Sequence, residues 1–365
     1  MYMQVSPKSN RFITVLFGSM GDALMALALF DDILNAAPDA SLLILTRRNA
    51  AMIRMLASEY SQVEVCEIPK GILVPPFFVG ILLRPSWTLL TLGLVSIGYS
   101  LPLRLFFFVL SLVPGNRTIG FHDQLLDISL DFDISLLMID NLRRLLPYAL
   151  PQWTGRPGSP PRLRIHTSRP KDFVFERGKY IVAHLFGVSI PHTLPPRRWR
   201  TLFAHIKREY PTYKIILTGT PEQRAFAEEV AVGQDGVTVR TDLSLHELAY
   251  AIDNAALYIG IDTGVTHLAG LLQQKSLVIQ HCADPTWKPT YNPHARVLLN
   301  SIRCTPADPM LCALVNEEGR EYRRSTYDIS DKLICKSVSL ALSAPQRNVP
   351  SFAGLIDEKD STVSL

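Results

Sequence analysis

Cysteine is scarce in this 365-residue chain and is not arranged for cross-linking. The five residues are Cys66, Cys282, Cys304, Cys312 and Cys335, and no two of them form a Cys-x-x-Cys pair. An odd number without that spacing gives no pattern for a zinc site and argues against a disulfide framework. We therefore expect reduced thiols and a cytosolic protein.

A strong net charge of either sign is also missing. The formal charge is +4 and only 19% of the residues are charged, which does not argue for a nucleic-acid partner. The small excess of Lys and Arg does suit work near an anionic membrane. An apolar share of 47% is typical of a globular chain, and the length predicts two domains that each bury a core.

Hydrophobic runs in this chain are short or interrupted. Gly18 and Asp22 follow the apolar run at residues 12–17, so we expect no secretory signal. Nineteen uncharged residues lie between Arg84 and Arg104, which is long enough to span a bilayer. Pro and Gly interrupt this stretch. A membrane span and a buried strand followed by an apolar helix (TLLTLGL, then LPLRLFFFVLSLV) both stay open, and we favour the second.

The N-terminal part alternates short apolar segments with helical ones. The apolar segments RFITVLF, SLLILT, VEVCEI, TLLTLGL and RTIGF have strand character. Apolar strands that alternate with helices are typical of a parallel sheet covered on both faces. We therefore predict an α/β domain over residues 1–160.

A stretch rich in Pro, Gly, Ser and Arg at residues 151–172 marks the domain boundary. A second alternating block follows it and predicts another domain over residues 170–343, and we expect a disordered tail at residues 344–365. The predicted fold class is α/β, with two doubly wound, Rossmann-like domains that face each other across a ligand cleft.

The stretch YIGIDTGVTHLAG, residues 258–270, joins an apolar strand to a helix. Asp262 or Thr263 caps this helix, and the unpaired N–H groups of its first turn favour an anion. Gly264 leaves room for a phosphate, and His267 lies one turn further on. An ordinary capped helix with a core-facing His explains the same spacing equally well.

The stretch FGSMGDALMA, residues 17–26, is a second strand-to-helix junction. Gly18 and Gly21 allow a tight turn, and Asp22 falls in the first helical turn, where the helix dipole favours its charged form. This position suits a general base, although a helix-capping role also accounts for Asp22. The motif is neither a Walker loop nor GxGxxG.

Together the two stretches resemble glycosyltransferase family 9, the ADP-heptose:lipopolysaccharide heptosyltransferases. Gly21-Asp22 matches the family's first-strand loop, and DTGVTHLAG matches its Asp-Thr-Gly-x-x-His-Leu turn. The resemblance implies a GT-B fold and an inverting enzyme that needs no metal or other cofactor. The implied donor is a nucleotide-diphospho-sugar, with ADP-heptose as the first choice. The implied acceptor is a lipid-linked saccharide such as a lipopolysaccharide core.

The resemblance also implies roles for individual residues. Asp22 would deprotonate the acceptor hydroxyl from a loop made of Gly18, Ser19, Met20 and Gly21. The residues implied to bind the donor are Arg197, Arg198, Gly219, Glu222, Leu243, Ser244, Asp262, Thr263, Gly264 and His267.

Within that set the implied roles follow the parts of the donor. Arg197 or Arg198 would face the diphosphate, Glu222 the ribose, and Leu243 with Ser244 the base. The Asp-Thr-Gly turn would hold the phosphates and approach the sugar. Two other classes stay open: a non-catalytic, membrane-associated relative that binds nucleotide sugars, and a GT-B-shaped sugar epimerase with further acids and His in its cleft.

The first domain is more apolar after Lys70 than the family pattern. We expect residues 72–113 to form a membrane-docking face, with Arg84, Arg104 and Arg117 against anionic headgroups. The predicted location is therefore the cytoplasm, peripheral on the inner face of the cytoplasmic membrane.

Overall fold

A computed structural model describes eleven segments of the chain, which form two compact units, Met1–Ile165 and His166–Leu365. The described residues are 10–16, 19–46, 49–68, 87–94, 101–122, 124–155, 158–187, 194–280, 286–299, 329–344 and 354–356. Gly18, Arg84, Cys282, Cys304 and Cys312 lie outside them, as does most of the tail predicted to be disordered.

The first unit is built on a six-stranded sheet in which every pair of neighbouring strands is parallel. Its strands are β1 (Arg11–Leu16), β2 (Ser41–Thr46), β3 (Val63–Glu67), β4 (Thr88–Leu94), β5 (Arg117–Phe121) and β6 (Ile128–Leu130). Its helices are α1 (Met20–Ala36), α2 (Ala50–Leu56), α3 (Leu101–Leu112), α4 (Met138–Arg143) and α5 (Leu146–Ala149).

The second unit contains a seven-stranded parallel sheet. Its strands are β7 (Tyr180–His184), β8 (Lys214–Thr218), β9 (Val237–Arg240), β10 (Leu257–Ile261), β11 (Ser276–Gln280), β12 (Ala295–Leu299) and β13 (Gly354–Ile356). Its helices are α6 (Pro196–Glu209), α7 (Arg224–Ala231), α8 (Leu245–Asp253), α9 (Gly264–Leu271) and α10 (Asp331–Ser343), with 3-10 turns at Pro221–Gln223 and Pro289–Tyr291.

Both sheets have the doubly wound strand order. The first runs β3-β2-β1-β4-β5-β6, and the second runs β13-β12-β11-β10-β7-β8-β9. In each, the chain reverses its direction of winding between two central strands, β1 and β4 in one and β7 and β10 in the other. Open α/β sheets bind ligands outside the carboxyl ends of strands at such a switch point. Asp22 follows β1 and the Asp-Thr-Gly turn follows β10, so each motif lies at the switch point of its own sheet.

The apolar stretch of the first unit folds as the favoured interpretation predicted. TLLTLGL forms β4 between β1 and β5, and LPLRLFFFVLSL forms α3. Phe107 and Leu110 of α3 are buried in the core with Trp87 and Leu89. No helix in the described segments is long and apolar enough to cross a membrane.

The stretch predicted to be a linker forms hydrogen bonds and ion pairs with the first unit. Buried Arg143 forms ion pairs with Asp32 at 2.8 Å and with Asp140 at 3.4 Å, and it also donates to the Ser159 carbonyl. Arg164 contacts Asp31 at 2.6 Å. Despite its proline-rich composition, this stretch therefore packs against the first unit, because it contacts buried charged residues of α1 and α4.

Candidate donor and catalytic sites

The Asp-Thr-Gly turn is held by side-chain hydrogen bonds at the junction of β10 and α9. Thr263 is the N-cap, and its side chain accepts from the Thr266 N–H at 3.4 Å. Thr266 donates its hydroxyl proton to the Ile261 carbonyl at 2.5 Å and therefore accepts from the Tyr258 hydroxyl at 3.0 Å. These bonds join the first turn of α9 to the end of the strand, so the position of Gly264 is set by buried contacts.

Two of the first N–H groups of α9 remain for a ligand. The N–H groups of Thr266 and His267 bond to Thr263, at 3.1 and 3.3 Å from its carbonyl oxygen. Within the described segments, no such bond is made by the N–H of Gly264 or Val265. Two N–H groups at the positive end of a helix dipole, next to a residue without a side chain, form a local site for a phosphate oxygen.

His267 is buried, as the interpretation of a core-facing His at this position predicted. Its side chain is 4% exposed, and its Nδ1 lies 3.0 Å from the Tyr291 hydroxyl. Its ring lies against those of Tyr291 and Trp287, with centroids 6.3 and 5.6 Å away. Burial lowers the pKa of His267 to about 4, because the charged form loses its hydration. His267 is therefore neutral near pH 7, so its ring can offer a ligand a hydrogen bond but no positive charge.

Asp22 lies in the first turn of α1, and Ser19 is the N-cap of that helix. The Ser19 Oγ accepts from the Asp22 N–H at 3.1 Å. Burial raises the pKa of the Asp22 carboxyl, and a hydrogen bond from the Ser19 side chain lowers it by a smaller amount. The sequence predicted that the helix dipole would favour the charged form, but loss of hydration raises the pKa. A raised pKa brings this carboxyl closer to the range in which a general base works near neutral pH.

The two arginines that the sequence left as alternatives occupy different environments. Arg198 is 7% exposed, bonds through Nε to Asp331 Oδ1 at 2.5 Å, and also donates to the Ile329 carbonyl. Arg197 is exposed at the start of α6. It lines, with Arg198, Thr201 and Asp331, a concavity of about 360 Å³. Arg197 is thus the better placed of the two to meet an anionic ligand.

Gly219 and Glu222 follow β8. A Cβ added at Gly219 would lie 2.7 Å from the Phe186 ring, so glycine permits the close approach of that ring. Glu222 is exposed in the 3-10 turn after the strand. A hydrogen bond with Thr220 lowers the pKa of the Glu222 carboxyl, which is therefore ionised at neutral pH and able to accept from a hydroxyl.

Leu243 and Ser244 follow β9 and lead into α8. The Ser244 side chain caps this helix and donates to Glu247 at 2.8 Å, while Leu243 is partly exposed. The hydroxyl of Ser244 is thus engaged within the protein. Because β9, β8, β7 and β10 are neighbours, the residues implied to bind the donor follow the carboxyl ends of adjacent strands.

Three buried or partly buried side chains near these strand ends were not predicted from the sequence. His184 ends β7 and bonds through Nδ1 to Thr218 at 3.1 Å, and burial lowers its pKa to about 4. Tyr291 and Trp287 surround His267. No local motif marks these residues, since they reach the site through sheet pairing or through a turn more than fifteen residues away.

In the part of the chain that the structure describes, no group of three or more His, Cys, Asp or Glu side chains is arranged to hold a metal ion. Cys66 and Cys335, the two cysteines in that part, form no disulfide with each other.

The second motif lies in a part of the chain that matches a known protein family. Residues 158–316 match the sequence model of glycosyltransferase family 9 (heptosyltransferase), a range that includes every residue implied to bind the donor. The resemblance to glycosyltransferase family 9 is confirmed. Asp22 lies outside the matched range.

The individual curated relatives match only short parts of this chain. Lipopolysaccharide heptosyltransferase 1 of Campylobacter coli is 29% identical over 128 residues, which are 34% of this chain and 37% of that protein. The enzyme of the same name from Salmonella typhimurium is 30% identical over 91 residues, 25% of this chain and 28% of that protein. The chain thus aligns with well under half the length of these curated relatives.

A solved structure extends the likeness of the fold to most of the chain. The E. coli heptosyltransferase WaaC, determined with ADP, superposes with a TM-score of 0.62 at 15% identity. The superposition covers 91% of this chain and 99% of that chain. The predicted fold class, two GT-B-like parallel α/β units, is therefore confirmed.

Proposed function

We propose that the protein is a glycosyltransferase that moves a sugar from a nucleotide-diphospho-sugar to a lipid-linked saccharide. ADP-heptose is the first choice of donor, and a lipopolysaccharide core is the first choice of acceptor. The observation that carries the proposal is the start of α9. There the N–H groups of Gly264 and Val265 and the neutral His267 lie at the switch point of a doubly wound sheet.

The proposed reaction is a single displacement with inversion. The acceptor oxygen bonds to the anomeric carbon of the donor as the bond from that carbon to the phosphate oxygen breaks. Asp22 takes the proton of the acceptor hydroxyl, and the nucleoside diphosphate leaves with the electron pair. The N–H groups of α9, His267 and Arg197 stabilise the negative charge that develops on the leaving diphosphate. This set of donors supports a reaction that does not depend on a divalent metal.

The proposal includes a peripheral place on the inner face of the cytoplasmic membrane. The support is the exposed side of α3, where Phe108 is 39%, Val109 40% and Leu112 64% exposed. An exposed apolar helix face with basic residues nearby suits insertion into the headgroup region of an anionic bilayer. A lipid-linked acceptor would be presented at that surface.

The test is a binding and turnover screen with the full chain. Thermal shifts with ADP-, UDP-, GDP- and CMP-sugars identify the nucleotide, and we expect the ADP compounds to give the largest rise in Tm. Turnover is then measured as nucleoside diphosphate release with a lipid-linked saccharide, with and without a metal chelator. Binding without acceptor-dependent release would indicate the non-catalytic relative, and interconversion of the free nucleotide sugar would indicate the epimerase. The absence of binding to every nucleotide sugar would refute the proposal.

A further inference from the structure

One nitrogen of the His267 imidazole forms a hydrogen bond within the described residues, and the other does not. Nδ1 lies 3.0 Å from the Tyr291 hydroxyl, and no described residue forms a hydrogen bond with Nε2. The side chain is 96% buried, since its exposed fraction is 4%. Nε2 is not among the side-chain atoms that are shut off from solvent without a partner, so a ligand at the first turn of α9 can reach it.

The Tyr291 hydroxyl lies near two groups of His267 that can accept its proton, Nδ1 and the carbonyl oxygen. The Tyr291 hydroxyl has one proton and lies 3.0 Å from Nδ1 but 3.4 Å from the His267 carbonyl oxygen. That carbonyl lies inside α9, where the helix already provides the N–H four residues later. If the hydroxyl donates across the shorter contact, to Nδ1, it leaves that carbonyl to the helix. Nδ1 is then the acceptor, and the ring proton lies on Nε2.

We propose that Tyr291 is a positioning residue that holds His267 as the Nε2–H tautomer, aimed to donate to a phosphate oxygen of the nucleoside diphosphate. This inference rests on the proposed function, because it deepens the role of the same site. Without the Tyr291 hydroxyl, Nδ1 loses its donor and the ring proton redistributes between the two nitrogens. The fraction of the protein with a donor at Nε2 then falls.

The packing around Tyr291 supports a fixed rather than an incidental contact. A Cβ added at Gly270 of α9 would lie 2.9 Å from the Tyr291 ring, so the ring approaches the helix where there is no side chain. Tyr291 ends the 3-10 turn Pro289–Tyr291 and is 7% exposed. Its ring lies nearly parallel to that of His267, at an interplanar angle of 21°. The hydroxyl therefore has little freedom to leave Nδ1.

The experiment compares wild type with Tyr291→Phe, which keeps the ring and removes only the hydroxyl. The matched control is Tyr180→Phe, since the Tyr180 hydroxyl is also buried and donates to the Ala251 carbonyl at 2.8 Å. Long-range ¹H–¹⁵N spectra of histidine-labelled protein report the tautomer of His267, and titration calorimetry reports the affinity for ADP. We expect wild type to show Nε2–H. We expect Tyr291→Phe to show a substantial Nδ1–H fraction and about tenfold weaker ADP binding, and Tyr180→Phe to show neither change.

A double-mutant cycle separates positioning from packing. Glutamine at residue 267 has no tautomer to set, so Tyr291→Phe should not weaken ADP binding further in the His267→Gln background. An Nδ1–H tautomer in wild type, or ADP affinity within twofold of wild type in Tyr291→Phe, would overturn the inference. So would a tenfold loss that persists in the His267→Gln background. If wild type binds no adenine nucleotide, the proposed function fails, and the tautomer spectra alone decide whether Tyr291 sets the His267 proton.

Discussion

The hydroxyl of Thr266 lies 2.5 Å from the carbonyl oxygen of Ile261 and joins the first turn of α9 to the last residue of β10. Tyr258 completes this buried chain of hydrogen bonds from the other side, 3.0 Å from the same hydroxyl. These linked hydrogen bonds make the strand-to-helix junction rigid. Thr266, whose side chain is not proposed to contact the phosphate, thus fixes the position of the N–H groups proposed to bind it.

Replacing Thr266 with Val keeps the shape of the side chain and removes the shared hydroxyl. The Tyr258 hydroxyl then loses its bond to Thr266, and we expect a loss of about 1–3 kcal/mol in the free energy of unfolding. Urea unfolding measures the loss. Thr201→Val is the control, because the exposed Thr201 bonds only to the Arg197 carbonyl and should change stability by less than about 0.5 kcal/mol. Equal effects of the two substitutions would contradict this account of the turn.

Asp22→Asn should leave folding and ADP binding near those of wild type and lower turnover by about 10²-fold or more, as loss of a general base does. The exposed Asp235→Asn is the matched control and should retain full turnover. If Asp22→Asn retained most of its activity, Asp22 would have only a structural role at the start of the helix.

Ser19→Ala tests the electrostatics of Asp22. The Ser19 hydrogen bond lowers the pKa of Asp22 against the larger raising effect of burial, so its removal should raise that pKa further. The carboxylate is the basic form. We therefore expect the acid limb of the kcat/KM profile to move to higher pH, together with a loss of about 1 kcal/mol from the missing N-cap. An unmoved acid limb would show that another group controls it.

Gly264 can be tested with two side chains of increasing size. Alanine is a better helix residue than glycine, so Gly264→Ala should fold at least as well as wild type. Gly264→Val places a branched side chain beside the N–H groups proposed to bind phosphate. We expect ADP affinity measured by calorimetry to fall in the order wild type, Ala, Val. Unchanged affinity in a folded Gly264→Val protein would refute the phosphate role.

The buried histidines predict a loss of stability in mild acid. Burial lowers the pKa of His184 and of His267 to about 4, below the value of about 6.5 in an unfolded chain. The unfolded state therefore binds protons first, so this stability is fully present above pH 6.5 and is lost as pH falls toward 4. Linkage gives a loss of about 2 kcal/mol per histidine at pH 5.

Urea unfolding at several pH values measures that dependence. His184→Gln should reduce the fall in stability between pH 7 and pH 5 by about half of the two-histidine total. Thr201→Val serves again as the control, because it changes no titrating group and should leave the pH dependence unchanged. A His184→Gln protein with the same pH dependence as wild type would show that His184 does not contribute to it.

The exposed face of α3 is tested by a charge placed in it. Leu112→Asp should lower binding to vesicles that contain anionic lipid several-fold, because the carboxylate opposes both insertion and headgroup attraction. Val232→Asp is the matched control, since Val232 is 69% exposed in the second unit, and it should bind like wild type. Sedimentation with vesicles measures both. Equal binding by the two variants would exclude α3 as the docking face.

The sequence by itself determined the local elements and both motifs. SLLILT and RTIGF are strands over the residues predicted, because short buried β-rich runs bounded by helical segments leave little choice. The apolar stretch that could have spanned a membrane divided into β4 and α3, as its Pro and Gly residues indicated. Short elements without a strong pattern, such as β6 and β12, were missed.

The tertiary structure alone decided the properties that depend on distant neighbours. Arg197 and Arg198 look alike in sequence, but only Arg198 is buried against Asp331, more than 130 residues away. The neutral state of His267 and its contact with Tyr291 come from burial and from a turn that no local pattern announces. The raised pKa of Asp22 has the same origin. Hydration depends on everything that packs around a group, so its loss is decided only when the chain has folded.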